Sequence, residues 1–166
     1  MNITAQGNKI TLRGAEVRVG QEAPDFVLYD NSLNKVTLKD TDGKRVFLAV
    51  PSLDTPVCDI EVKRFNKEAT NLKDTKVYVV SMDLPFAQAR WCGSEDVENV
   101  ITLSDYKDRS FGENYGLYIE EMGLLARAVF VVDEKNNVTY VEYCKDISDE
   151  PNYEYLILYK VKNCTN

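Results

Sequence analysis

Arg45-Val46-Phe47-Leu48-Ala49-Val50-Pro51-Ser52-Leu53-Asp54-Thr55-Pro56-Val57-Cys58 is the stretch that decides the fold. Its first six residues are mostly apolar and end at a proline, so they read as a short buried strand. Beyond it Val57, Ile60, Phe65, Ala69 and Leu72 recur about every 3.6 residues, which predicts a helix with these side chains facing inward. Lys76-Val77-Tyr78-Val79-Val80-Ser81 is rich in β-branched residues and reads as a second buried strand. Strand, helix, strand makes a βαβ unit with parallel strands. Cys58 then lies in the first helical turn, where unpaired N–H groups and the positive end of the helix dipole favour a thiolate.

On the N-terminal side, Ile3–Leu12 reads as a hairpin turning at Gln6-Gly7-Asn8. Phe26–Tyr29 and Lys35–Thr37 read as two short strands around Asp30-Asn31-Ser32. On the C-terminal side, Pro85 opens a short helix through Cys92 that Gly93 is expected to stop. Val100–Leu103 is a further strand, and Ser110–Tyr115 a short helix ending at Gly116. Leu124–Val132 and Val138–Tyr143, joined across Asp133–Asn137, form the clearest hairpin, and a last helix is expected after Pro151. This order predicts an α/β fold: a mixed central β-sheet flanked by helices, with an N-terminal β-hairpin. The 166 residues fit one domain spanning 1–166.

The formal net charge of −7 argues against nucleic acid or an anionic membrane as partner. No stretch is long and apolar enough for a signal sequence or a bilayer span, so a cytoplasmic location is expected. The chain has no histidine, which excludes cysteine and serine hydrolases with a histidine base, and His-ligated zinc or haem. Four cysteines, Cys58, Cys92, Cys144 and Cys164, contain no Cys-x-x-Cys pair, which weighs against a zinc site or a dithiol exchange motif. No metal or organic cofactor is expected.

Pro51, Thr55 and Cys58 form a Pro-x-x-x-Thr-x-x-Cys pattern that chance yields in roughly one chain per hundred of this length. Placed on a strand-to-helix junction, it resembles the active-site motif of the peroxiredoxins, which share a thioredoxin-like fold. Asp54–Asp59, Phe86–Cys92, Leu125–Ala128 and the N-terminal hairpin narrow the resemblance to the thiol peroxidase subfamily, the atypical two-cysteine type. The likeness spans nearly the whole chain.

The resemblance implies a peroxidase that reduces hydrogen peroxide and organic hydroperoxides. Cys58 would be the attacking sulfur and Cys92 the residue that condenses with its sulfenic acid to a disulfide. Thioredoxin is the implied reductant and a homodimer the implied assembly. Arg127 is implied as the guanidinium on thiolate and peroxide, and a buried arginine beside an apolar strand does need a partner. Thr55 would hydrogen-bond across the pocket and Pro51 would shield the sulfur.

Each residue also has a plainer reading. Cys58 is alternatively a core thiol, Cys92 a thiol beside Trp91, and Arg127 a salt-bridge residue paired with a carboxylate. Thr55 alternatively caps the helix and Pro51 ends the strand. Cys144 reads as a packing residue, and Asp146–Glu150 as a solvated acidic loop. Two rival functions stay open: a non-enzymatic peroxide sensor acting through Cys58, and a thioredoxin-fold disulfide exchange protein.

Overall fold

The computed structural model describes residues 1–69, 74–95 and 97–153. In chain order the elements are β1 (Thr4–Ala5), β2 (Asn8–Lys9), β3 (Leu12–Arg13), β4 (Val27–Tyr29), β5 (Lys35–Thr37) and β6 (Lys44–Ala49). There follow α1 (Pro56–Ala69), β7 (Thr75–Ser81), α2 (Pro85–Ser94), β8 (Val100–Ser104) and α3 (Ser110–Asn114). The last are β9 (Tyr118–Ile119), β10 (Leu124–Leu125), β11 (Ala128–Val132) and β12 (Val138–Tyr143). Leu72, Cys164 and the helix expected beyond Tyr153 lie outside the described residues.

A seven-stranded mixed sheet runs in the order β12-β11-β6-β7-β8-β4-β5. The expected βαβ unit is present, since β6, β7 and β8 are parallel; β11 runs antiparallel to β6. These strands are apolar on both faces because both are covered. Val46, Leu48, Val77, Val79, Val129 and Val131 pack with α1 and Trp91 of α2 on one side. Phe47, Tyr78, Val80, Leu103 and Phe130 pack on the other with Phe26, Phe111 and Tyr115. The β1–β2 hairpin turns at Gln6 and Gly7, both at positive φ, the geometry of a tight hairpin turn.

Three local expectations need correction. The inward face of α1 is Cys58, Glu61, Val62 and Phe65, whereas Ile60 is 57% exposed. That face has the i, i+3, i+4, i+7 spacing, turned by one residue because a carboxylate, invisible to an apolar count, is buried in it. Burying Val62 and Phe65 there contributes roughly 1.5–3 kcal/mol each. Gly93 does not stop α2, which continues to Ser94 with Glu95 as cap. Gly93 is absent from the positive-φ glycines, and a glycine ends a helix by adopting that conformation. Leu124–Val132 is not one strand: Leu124–Leu125 pairs with β9, and pairing with β6 begins only at Ala128. Ala126 and Arg127 form the crossing between the two sheets.

Asp105, just past β8, is fully buried and accepts the amides of Phe111 (3.1 Å) and Gly112 (2.8 Å), tying the sheet to α3. Burial pushes its carboxyl up to about 7, with those two amides pulling the other way. A carboxyl raised by folding stabilises most when protonated in both states, and that contribution is lost as pH rises from about 4 to about 7. Asp105→Asn does not titrate and keeps one acceptor. Its stability deficit against the parent should therefore shrink across that window in thermal unfolding; a constant or widening deficit would contradict the assignment.

Candidate active site

Pro51 has no N–H to extend the ladder beyond β6, and the chain turns through Ser52–Thr55 into α1. Asp59 N donates to Thr55 O (3.0 Å), so Thr55 directly precedes the helix and Pro56 takes the first helical position. Proline suits that position, and the amides of Val57 and Cys58 are left as helix-terminal donors with no acceptor inside the helix. The Thr55 hydroxyl donates to Ser52 O (2.9 Å), which folds the loop on itself instead of capping α1. Ser52 and the Leu53 amide are held by Asp83.

The β11–β6 register sets Ala128 opposite Ala49, so Arg127 stands level with Val50, where β6 gives way to the Pro51 loop. Its Nη2 donates to Cys58 Sγ at 3.0 Å. Its Nη1 pairs with the Glu61 carboxylate, and its Nε donates to Ile147 O at 3.0 Å. Cys58, Glu61 and Arg127 are all withdrawn from solvent. Burial opposes the charge on Arg127, but Glu61 and Cys58 outweigh it and raise its pKa. Burial likewise pushes Glu61 up to about 7, against the pull of Arg127. Arg127 thus has contacts compatible with both sequence readings: one nitrogen faces the sulfur, another the carboxylate. Glu61 escaped the sequence analysis, although its spacing from Cys58 and Phe65 was the available signal.

A cavity of about 220 Å³ opens in front of this pair, lined by Pro51, Thr55, Arg127, Ile147 and Gln6. That volume admits a peroxide with a short organic tail. Cys58 lies behind its wall with no exposed surface, so the guanidinium links cavity and sulfur. Pro51, Thr55 and Arg127 are therefore brought together around Cys58.

Cys92 is not. It lies on α2, half-buried, with Sγ 3.6 Å from Thr102 Oγ1 of β8, and lines a different cavity with Asn31 and Thr102. The partners of the two sulfurs belong to β8 and the start of β11, three strand spacings or about 14 Å apart. Trp91 Nε1 donates to Asp59 Oδ1 (3.1 Å), linking the two helices. Cys144 is buried, and burial pushes its thiol up to about 12, as suits packing rather than reaction.

The acidic stretch Asp146–Glu150 is more than a solvated loop. Asp146 accepts hydrogen bonds from Thr4 Oγ1 (2.5 Å), Gln6 N (3.2 Å), Gly7 N (2.9 Å) and the Ser148 hydroxyl (2.6 Å). The Ser148 and Thr4 hydroxyls and the Gly7 and Ser148 amides hold its carboxyl well below the usual carboxylate range. It clamps the N-terminal hairpin beside the cavity and sets the turn whose Ile147 carbonyl holds Arg127. In Asp146→Ala the Gln6 and Gly7 amides should exchange hydrogen at least about ten-fold faster, the weight of one charge-assisted bond, with β6 and β7 unchanged. Unaltered hairpin exchange would refute the clamp.

Comparison with known proteins agrees with this geometry. Residues 18–157 match the redoxin family. The thiol peroxidase of Clostridium acetobutylicum is 56% identical over 157 residues, covering 95% of this chain and 96% of that one. The thiol peroxidase of Bacillus subtilis is 53% identical over 153 residues, covering 92% of each. The crystal structure of a peroxiredoxin-like protein from Aquifex aeolicus superposes with a TM-score of 0.90 at 40% identity, covering 97% of this chain and 96% of that one. With a cysteine at a helix start, an arginine on its sulfur and a thioredoxin-like fold around them, this chain belongs to the redoxin family, as one of its thiol peroxidases.

Proposed function

We propose that this thiol peroxidase works through Cys58 as the attacking sulfur and Cys92 as the resolving one. The observation that carries the reading is the contact of Arg127 Nη2 with Cys58 Sγ at the back of the cavity. The nucleophile in such chemistry is the thiolate. It displaces RO⁻ from the terminal oxygen of ROOH, giving Cys58–SOH, and RO⁻ takes a proton from water to leave as alcohol, or as water where R is hydrogen. The Arg127 N–H groups stabilise the charge developing on the departing oxygen, where a fixed donor acts most strongly. Pro51 keeps bulk water from the sulfur, and the Thr55 hydroxyl, its proton given to Ser52, offers lone pairs to the peroxide proton.

The Cys92 thiol then attacks the sulfur of Cys58–SOH, forming the S–S bond and releasing water. A disulfide needs Cα atoms about 4.4–6.8 Å apart, so the first turn of α1 and part of α2 unwind in each cycle. A dithiol protein, thioredoxin in this reading, reduces the bond and returns both thiols. The reading further assigns one domain over 1–166, a homodimer and a cytoplasmic location. The described residues hold no helix long and apolar enough to cross a membrane.

Intact-mass analysis after one equivalent of hydroperoxide tests the division of labour. Cys58→Ser should show no sulfenate and no turnover, whereas Cys92→Ser should react once and then accumulate sulfenic or sulfinic acid. Equal loss of the first turnover in both would refute it. Arg127→Ala should slow the peroxide step by roughly 10²-fold, the cost of one lost donor to developing charge, while keeping its fold. An unchanged stopped-flow rate would remove Arg127 from the site.

A further inference from the structure

Asp83 lines no part of the peroxide cavity, yet its carboxylate stands between the two cysteine-bearing segments. On one side Oδ1 accepts the Ser52 hydroxyl (2.7 Å) and Oδ2 the Leu53 amide (2.8 Å), both in the loop that delivers Cys58. The Ser52 carbonyl in turn takes the Thr55 hydroxyl, so that loop is fastened as one piece. On the other side Oδ2 accepts the Ser81 hydroxyl (2.8 Å), whose oxygen takes Gln88 Nε2 (3.0 Å). Gln88 is fully buried on α2, one turn before Cys92, and the same nitrogen donates to Leu103 O (2.9 Å). Asp83 is also followed directly by Leu84, the N-cap of α2, and its carbonyl accepts the Ser104 hydroxyl (2.5 Å).

We propose that Asp83 is a positioning residue that latches the Cys58 loop in its peroxide-reactive form, and that breaking this latch admits Cys92. The second half rests on the reading of Cys92 given above. Bonds from neutral donors to a carboxylate are roughly twice as strong as neutral pairs, so a single side chain accepting three of them is a firm anchor. The sulfurs meet only if the Ser52–Thr55 loop leaves Asp83 or if α2 pulls away through Ser81 and Gln88. The first movement breaks the Ser52 and Leu53 bonds at the carboxylate. The second takes Gln88 off the Ser81 oxygen whose hydroxyl the carboxylate holds, so the resolving arrangement forms at the expense of this network.

The consequence is a slower peroxide step and a faster resolving step. In Asp83→Ala the rate of the peroxide step should fall roughly ten-fold or more, the weight of at least one charge-assisted hydrogen bond. At a fixed excess of peroxide, the fraction of Cys58 trapped as sulfinic acid should fall as well, because the disulfide forms sooner. Stopped-flow kinetics give the first quantity and intact mass the second. Ser52→Ala removes one bond on the loop side only and should show the same split at smaller amplitude, which keeps the test decisive if Asp83→Ala folds poorly. An unchanged peroxide step, or more sulfinic acid in either variant, overturns the latch. Measured in a Cys92→Ser background, the effect on the peroxide step should persist; its disappearance counts against the latch. Absence of a Cys58–Cys92 disulfide in the parent protein would instead remove the second half of the proposal together with the assignment of Cys92.

Discussion

A guanidinium shut away from water has to be answered by its neighbours, and Arg127 organises this end of the molecule for that reason. Its three nitrogens are directed to a sulfur and a carboxylate on α1 and to the backbone carbonyl of Ile147. Cys58 and Glu61 lie one turn apart on α1, so the same face of one helix supplies both acceptors. A lysine could not serve them together, because its single ammonium lacks the planar fork. The burial that makes the pair costly also strengthens its effect on the sulfur, since screening by water is absent there.

Arg45 shows what an arginine does where no chemistry is asked of it. It is equally buried, at the far end of β6, but its donors go to the carbonyls of Gly43 and Asp133, to Thr41 and to the Asn136 side chain. Those partners close the 133–137 turn and involve no nucleophile. The two arginines are alike in burial and differ in what surrounds them. The antiparallel register of β11 against β6 separates them, by carrying Arg127 to the end where α1 begins.

The strands were legible because an apolar, β-branched run covered on both faces looks alike in any fold, as Val77–Val80 does. Cys58 was legible because it follows Pro51 and Thr55 at a fixed spacing where a strand gives way to a helix. Glu61 was not, since a carboxylate in a helical pattern is ordinarily solvated, and its partner lies 66 residues away. Asp146 was hidden for a related reason: its donors in the N-terminal hairpin are two backbone amides and the Thr4 hydroxyl, about 140 residues distant, and such pairings leave no periodic trace. Gly93 misled because glycine marks a helix end only when it takes a left-handed backbone, a choice made by the surrounding packing. Local rules therefore delivered the elements and the placement of Cys58 at a helix start, while contacts set by topology stayed out of reach.

The complete enclosure of Cys58 has a chemical corollary. A sulfur with no accessible surface, approached only past Pro51 and Arg127, is a sieve that grades oxidants by girth. With the first turn of α1 wound, that route suits slender molecules and bars glutathione-sized thiols and bulky alkylating agents. Cys92, partly bare on another flank, lacks that protection. The two thiols thus differ in the girth of reagent each admits: one is screened from all but the slimmest, the other is open to larger ones.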